Sequence, residues 1–296
     1  MKRVVGLGAC VVDTLISADR FPMEDTKMRA GDILVTGGGP VANALVVISK
    51  LGVDAEIIGG LAADSSGEFI RADFERLGVR TDRVSTVEGA SSFVSYIILS
   101  ADTGARTCLF NRGTVADDPS LVDLSAIDGA DVLHLDGNYM NCAIHAAKYA
   151  RKKGVTVSLD AGGRYEGIEK LLPLVDILIP SCEFALGITG EADIPSAMRV
   201  LNERYSPKIL VVTDGSRGGY YLDGDEIKHY DTAKIEPVDT NGAGDTFHGA
   251  FVAAHTLGMT TPEACRFASN VAAYKCTNKG ARDYPLNMDI ALGLFK

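Results

Sequence analysis

Two carboxylates bracket a run of small residues late in the chain, Asp239-Thr-Asn-Gly-Ala-Gly-Asp245, and a helix-like apolar run follows. Gly242, Ala243 and Gly244 let the backbone approach a ligand closely and turn its amides inward. The following helix aims its positive end and its unpaired N–H groups at the same spot. Together these make an anion site built from backbone. Asp245 then sets a carboxylate beside that pocket, which is electrostatically costly unless it does chemistry, such as taking a proton from an attacking hydroxyl. The set suits phosphoryl transfer, where positioning and charge stabilisation supply most of the catalysis. An ordinary Gly-rich turn capped by Asp has the same local signature, since Asp is a favoured N-cap.

Such a loop needs strands and helices to hold it. Residues 4–12 read as a buried strand, and Asp13 interrupts its apolar run. Residues 40–51 are small and apolar on nearly every face, which predicts a buried helix stopped by Gly52. A strand over 55–60 and a helix over 67–77, ended by Gly78, come next. Residues 91–99 and 106–111 read as a hairpin around a turn at 101–104. From residue 131 the pattern becomes regular. Strand-like runs at 131–135, 155–159, 175–179 and 209–213 alternate with helical segments at 141–153, 166–172, 183–188 and 194–204, as βαβ units do. A second hairpin over 219–222 and 226–230 precedes the glycine loop, and helices over 245–257 and 262–275 complete the chain. The stretches 14–36 and 91–111 break the βαβ rhythm. They read either as a small β-rich lid or as extensions of the main sheet.

At 296 residues, with 46% apolar and 23% charged residues, the chain has an ordinary globular composition and room for one large α/β domain spanning 1–296. A formal net charge of −10 argues against a nucleic-acid surface, which needs a basic stripe. A helix N-terminus still binds phosphate on an acidic protein. The six cysteines are scattered with no C-x-x-C, which argues against a zinc site or a disulfide scaffold and fits a reducing cytoplasm. Leu7-Gly-Ala-Cys10 looks superficially like a lipoprotein cleavage box, but the six residues between Arg3 and Cys10 are too few for a signal segment. No apolar stretch approaches the length of a membrane span.

Read end to end, the chain resembles the ribokinase (PfkB) family of carbohydrate kinases. The likeness rests on a first strand ending in Asp13, on Gly37-Gly38-Gly39-Pro-Val-Ala-Asn43 leading to Lys50-Leu-Gly52, and on Val212-Thr213-Asp-Gly215. The 242–245 signature and Thr277-Asn-Lys-Gly280 complete it. The resemblance implies an α/β fold with a central, mostly parallel sheet flanked by helices, and it favours the lid. Carried over position by position, Asp13, Gly38, Gly39 and Asn43 fall where the family grips sugar hydroxyls. As alternatives, Asp13 caps a turn, Asn43 caps a helix, and the glycines are packing residues. Asn111 and Arg112, closing the hairpin, reach the substrate from the lid or are solvated hairpin residues. Thr213 and Gly215 match positions that meet nucleotide phosphates. Asn241, Gly242, Ala243 and Gly244 form the anion pocket, Asp245 is the base, and Asn270 and Asn278 fall near the adenine and its ribose or are solvated.

The chain also departs from the family pattern. Many members carry Asn-x-x-Glu after a mid-chain strand, helping water-bound magnesium. Here Ser181 stands for the Asn, Phe184 for the Glu, and Glu183 lies one residue early. Magnesium is still implied, because it arrives with the nucleotide and needs few protein ligands. Members activated by a monovalent cation use an Asp239-type carboxylate and a small residue where this chain has Tyr284, whose bulk stands against potassium. These departures look more like the ketohexokinase-like branches than ribokinase itself.

A rival oxidoreductase reading starts from Gly6-Leu-Gly8, but Val11 occupies the position of the third glycine. A non-catalytic sugar-binding protein has no need of Asp245, and a nucleoside kinase shares everything except what fills the sugar pocket. The expectation is therefore an ATP-dependent sugar kinase with magnesium. Its lid, carrying the apolar alternation of Phe93, Tyr96 and Ile98, is expected to pair two copies into a homodimer.

Overall fold

The computed structural model describes residues 2–163 and 165–295. The chain opens with β1 (Arg3–Leu7), β2 (Val11–Ala18), β3 (Ile33–Gly38), α1 (Pro40–Lys50), β4 (Asp54–Ile57) and β5 (Gly59–Ala62). It continues with α2 (Ser65–Arg76), β6 (Val79–Arg80), β7 (Val84–Val87), β8 (Phe93–Ser100) and β9 (Arg106–Asn111). The alternating half holds β10 (Val132–Leu135), α3 (Met140–Lys152), β11 (Thr156–Ala161), α4 (Ile168–Leu171) and β12 (Ile177–Pro180). There follow α5 (Cys182–Thr189), α6 (Ile194–Tyr205), β13 (Ile209–Thr213), β14 (Gly219–Asp223) and β15 (Glu226–Tyr230). The last helices are α7 (Ala243–Thr256), α8 (Thr261–Cys276) and α9 (Met288–Phe295).

Nine strands make the main sheet in the order β15-β14-β13-β12-β11-β10-β1-β4-β6. It is parallel from β6 to β13, and the β14–β15 hairpin adds an antiparallel edge. Parallel strands covered on both faces read as continuous apolar runs, and β10 and β12 are buried at every residue. One face packs Leu45, Phe251 and Phe267 of α1, α7 and α8; the other packs Ala147, Phe184 and Leu201 of α3, α5 and α6. A separate sheet runs β3-β2-β8-β9, and β5 pairs with β7 in a third.

Four helix starts are satisfied by side chains. Asp64, Ser181 and Asp193 cap α2, α5 and α6, and Thr260 with Glu263 forms a capping box on α8. In contrast, α1 and α7 both begin at a glycine, Gly39 and Gly242, with no side-chain cap. Their first-turn N–H groups are left for something else.

Three expectations need correction. The apolar run 4–12 is two strands in two sheets, divided at Gly8, where a Cβ would lie 2.3 Å from Asp136 Oδ2. Asp13 is consequently the third residue of β2, paired with Thr36 and Ser95, and does not end the first strand. The run 55–60 divides likewise into β4 and β5. A third C-terminal helix, α9, follows the two anticipated.

Candidate active site

The 239–245 segment forms the start of α7 as its composition demands. Gly242 adopts φ +73° as the N-cap, where a Cβ would also press to 2.8 Å from Ala281 Cβ. Ala243 N–H is taken by Thr240 O at 3.2 Å, while the N–H groups of Gly244 and Asp245 precede any intrahelical acceptor. A Cβ on Gly244 would meet nothing within 4 Å, so this face of the turn is open. Asp239 braces the loop from behind. Its Oδ1 accepts from Asn241 N–H at 2.8 Å and its Oδ2 from Gly280 N–H at 2.9 Å. Its carbonyl accepts from the buried Lys275 Nζ at 2.7 Å.

Asp245 sits in the first turn of α7, and its Oδ2 accepts from Asn43 Nδ2 at 2.6 Å. Asn43 Oδ1 in turn accepts from Arg282 Nε at 2.9 Å, and Arg282 Nη1 donates to Asp73 Oδ2 at 2.9 Å. Arg282 is 1% exposed and Asn43 4%, so this line of partners is desolvated and held in place. Burial raises the proton affinity of Asp245, and the neighbouring charge of Asp160 raises it further. The Asn43 hydrogen bond and the Arg282 charge act against both.

On the small-sheet side, Asp13 Oδ1 accepts from Ser95 Oγ, and Gly38 lies so close that a Cβ would meet Asp13 Oδ2 at 2.0 Å. Gly39 takes φ +101° with Ala9 O where its Cβ would project. Burial raises Asp13, against Ser95, Arg282 and Arg106. Asn111 turns back on its own chain, Oδ1 accepting from Gly113 N–H at 2.9 Å. Arg112 crosses to the main sheet, donating to Asn138 O at 2.6 Å with its guanidinium over Phe93. At the other end of β9, Arg106 donates to Asn241 Oδ1 at 2.8 Å. The small sheet therefore touches both ends of the cleft.

The nucleotide candidates are more dispersed. Thr213 ends β13 beside Ser181, and Gly215 follows at φ +56° with open space where a Cβ would project. Glu183 is exposed on the first turn of α5. Asn270 donates to Leu294 O at 2.9 Å and so ties α8 to α9. Asn278 donates to Tyr274 O at the end of α8. Among the described residues, no three or more His, Cys, Asp or Glu side chains are grouped to hold a metal ion, so Glu183 and Asp239 do not meet in one. Tyr284 is buried, its hydroxyl 3.3 Å from Thr246 Oγ1.

Several residues at the site were not anticipated. Asp136 follows β10, its Oδ2 accepting from Ala9 N–H at 2.9 Å and its Oδ1 from Asn138 N–H at 2.9 Å. Asp160 ends the run of β11 with Oδ1 3.2 Å from His248 Nε2. Burial raises both carboxyls. A signal for them existed: Asp136 directly precedes Gly137 and Asp160 precedes Ala161-Gly162, each at the end of a buried strand, on the sheet's carboxyl edge where α/β folds bind ligands. Arg282 and Lys275 carried no local mark. The described helices include none long and apolar enough to cross a membrane, and the six cysteines are free thiols.

Comparison with known proteins agrees with this geometry. Residues 1–287 match the pfkB family carbohydrate kinases. The ATP-dependent ribose-1-phosphate kinase of Halopiger xanaduensis is 30% identical over 288 residues, covering 96% of this chain and 95% of its own. The ketohexokinase of Mus musculus is 27% identical over 297 residues, covering 94% and 97%. The structure of Arabidopsis thaliana ribokinase complexed with ribose and ATP superposes with a TM-score of 0.90 at 27% identity, covering 100% of this chain and 99% of that one. With the family pattern running through both sheets and through the helix start that carries Asp245, the chain belongs to the pfkB family of carbohydrate kinases.

Proposed function

We propose that this kinase transfers the γ-phosphoryl group of ATP to a hydroxymethyl group of a small sugar, a ketose or a pentose, with Asp245 as general base. The observation that carries this is the uncapped start of α7, where open backbone amides stand beside a carboxylate whose outer oxygen is held by Asn43. In the step, the acceptor O–H bond breaks and its proton moves to Asp245. The oxygen forms a bond to the γ-phosphorus, the bond from that phosphorus to the β–γ bridging oxygen breaks, and ADP departs. Within the Gly242–Gly244 turn, the Gly244 N–H, left free where the Ala243 N–H is taken by Thr240 O, holds the charge on the transferring group together with the Asp245 N–H.

The assignment of ATP is supported by the names of the relatives, among them a ribokinase complexed with ribose and ATP and an ATP-dependent ribose-1-phosphate kinase. We assign Thr213, Gly215, Asn241 and Asn270 to the nucleotide side, where Asn270 keeps its Oδ1 and one Nδ2 hydrogen. The donor set fits a magnesium ion that arrives on the phosphates, since Asp239 spends both oxygens on backbone amides and Glu183 stands alone on α5. The metal's contribution is charge neutralisation on those phosphates.

Asp13, Gly38, Gly39 and Asn43 form the sugar side, with Arg112 above them. The small sheet serves as the lid. Its outer face, opposite to Asp13, exposes Ile33 at 61%, Tyr96 at 52% and Leu109 at 55%, and a second copy of the chain is the occupant we assign to it.

A coupled ATP-consumption assay over ketoses, pentoses, sugar phosphates and nucleosides tests this function. Turnover on a ketose or pentose is expected. Turnover confined to nucleosides moves the chain to the nucleoside kinases, and ATP-independent binding without turnover removes the catalytic role.

A further inference from the structure

Behind the first turn of α7 lies a polar pair that the transfer step leaves unused. Asp160 is 6% exposed and accepts from Gly162 N–H at 2.9 Å. His248, 3% exposed, brings Nε2 to 3.2 Å from the same Oδ1. His248 follows Asp245 by three residues on α7, so both side chains leave neighbouring positions of one helix. Burial pushes the His248 imidazole down to about 3, so the ring is neutral and holds one proton. An ionised carboxylate only accepts, which places that proton on Nε2. On the far side, His248 Nδ1 has no partner among the described residues, and the ring lies 6.0 Å from that of His134 between centroids.

Among the described residues, no cation stands against Asp160. The titratable groups around it are Asp136, Asp245, the neutral His248 and the hydroxyl of Tyr165. Burying a carboxylate costs stability, yet the chain places one here, in the electrostatic range of Asp245, and holds it with a histidine.

On the reading of Asp245 as general base, we propose that Asp160, clamped by His248, is a positioning residue whose negative charge draws the acceptor hydroxyl's proton onto Asp245. Asp245 faces Asp160 and Asp136 as like charges, Arg282 and Lys275 as opposite ones, and the Tyr284 hydroxyl. After burial, Asp160 exerts the largest influence raising its proton affinity. Base strength sets the driving force of the proton transfer. Asp160 itself gains and loses nothing in the step.

The pH dependence of kcat/KM, measured with D160N, H248L, H248Q and D245N beside the wild type, tests the proposal, with melting temperatures confirming that each variant is folded. D160N is expected to move the acid limb by at least half a pH unit toward lower pH and to lower the plateau kcat about tenfold. H248L leaves Asp160 without its donor, so Asp160 keeps its proton and the profile approaches that of D160N. H248Q restores an N–H donor and returns the limb toward the wild type. An acid limb unmoved in folded D160N overturns the role of Asp160, while Asp245 as base stands if D245N is inactive. An active D245N overturns the base itself.

Discussion

Arg282 Nε donates to Asn43 Oδ1 at 2.9 Å, and this contact decides which way the Asn43 amide faces. A guanidinium has donors only, so it must take the oxygen end, and the nitrogen end is left to donate to Asp245 at 2.6 Å. The amide is thereby committed to the base. One hydrogen of Nδ2 remains, and on the proposed reading it is the one offered to a sugar hydroxyl, which would join substrate and base through a single group.

Asp245→Asn keeps the shape of this site and removes its basicity. The expected outcome is a fall in kcat of roughly 10²–10⁴-fold, with folding and ATP affinity retained. Steady-state kinetics with calorimetric ATP titration checks this, and more than a third of wild-type kcat excludes Asp245 as the base.

Asn43→Ala acts on the same carboxylate in the opposite sense to loss of Asp160. A hydrogen bond to the charged form favours that form, so its removal raises the proton affinity of Asp245 further. The acid limb of kcat/KM is expected to move toward higher pH, with a rise in sugar KM. A limb that moves down in pH contradicts the pairing of these two residues.

The raised carboxyl of Asp245 has a consequence for stability. Its folded proton affinity exceeds the unfolded one, so the stability it contributes is present below the unfolded carboxylate pKa and is lost as pH rises through the folded value. Asp245→Asn removes that loss. The variant is expected to melt higher than wild type at pH 8, with the gain shrinking toward pH 4; each 1 kcal/mol corresponds to about 2 °C in a chain of this size. Melting curves across this range decide it, and a gain that grows on acidification refutes the sign.

For Asp13→Ala the expected effect is specific to the sugar. Sites built for hydroxyls discriminate strongly, so kcat/KM for the sugar should fall by several kcal/mol while the KM for ATP stays within about twofold. If Asp13 only caps structure, the variant loses about 0.5–2 kcal/mol of stability with unchanged sugar kinetics.

Light scattering addresses the pairing of lids. A dilute-solution mass near twice the 31.3 kDa of the chain is expected, and Leu109→Asp on the outer face should return it to a single chain. A wild-type monomer removes the dimer.

Where the signal in the sequence is local, it matches the molecule. The glycines of 242–244 and the βαβ rhythm after residue 131 mark their elements, because turn chemistry and burial act over a few residues. The division of the run 4–12 was hidden, since β1 and β2 are both buried and an apolar run does not say which sheet receives it. The line from Asp73 to Asp245 was hidden for another reason. Arg282 meets Asn43 across 239 residues and Asn43 meets Asp245 across 202, distances at which no spacing rule applies. Asp160 and His248 fall between these cases, each marked by a strand end or a helix turn but joined only by the fold.

Gly37 and Gly38 set a boundary on how this molecule changes over generations. A Cβ on Gly37 would lie 2.2 Å from Arg282 Nη1, and one on Gly38 would lie 2.0 Å from Asp13 Oδ2. Any side chain added at either position therefore strikes Arg282, which holds Asn43 against Asp245, or Asp13 before it can offer a new contact. The floor of the pocket is in this sense mutationally frozen. On the proposed placement of the sugar, new preferences would be acquired on β9 and its flanks, where all six residues are exposed and a side chain is free to lengthen, shorten or change sign.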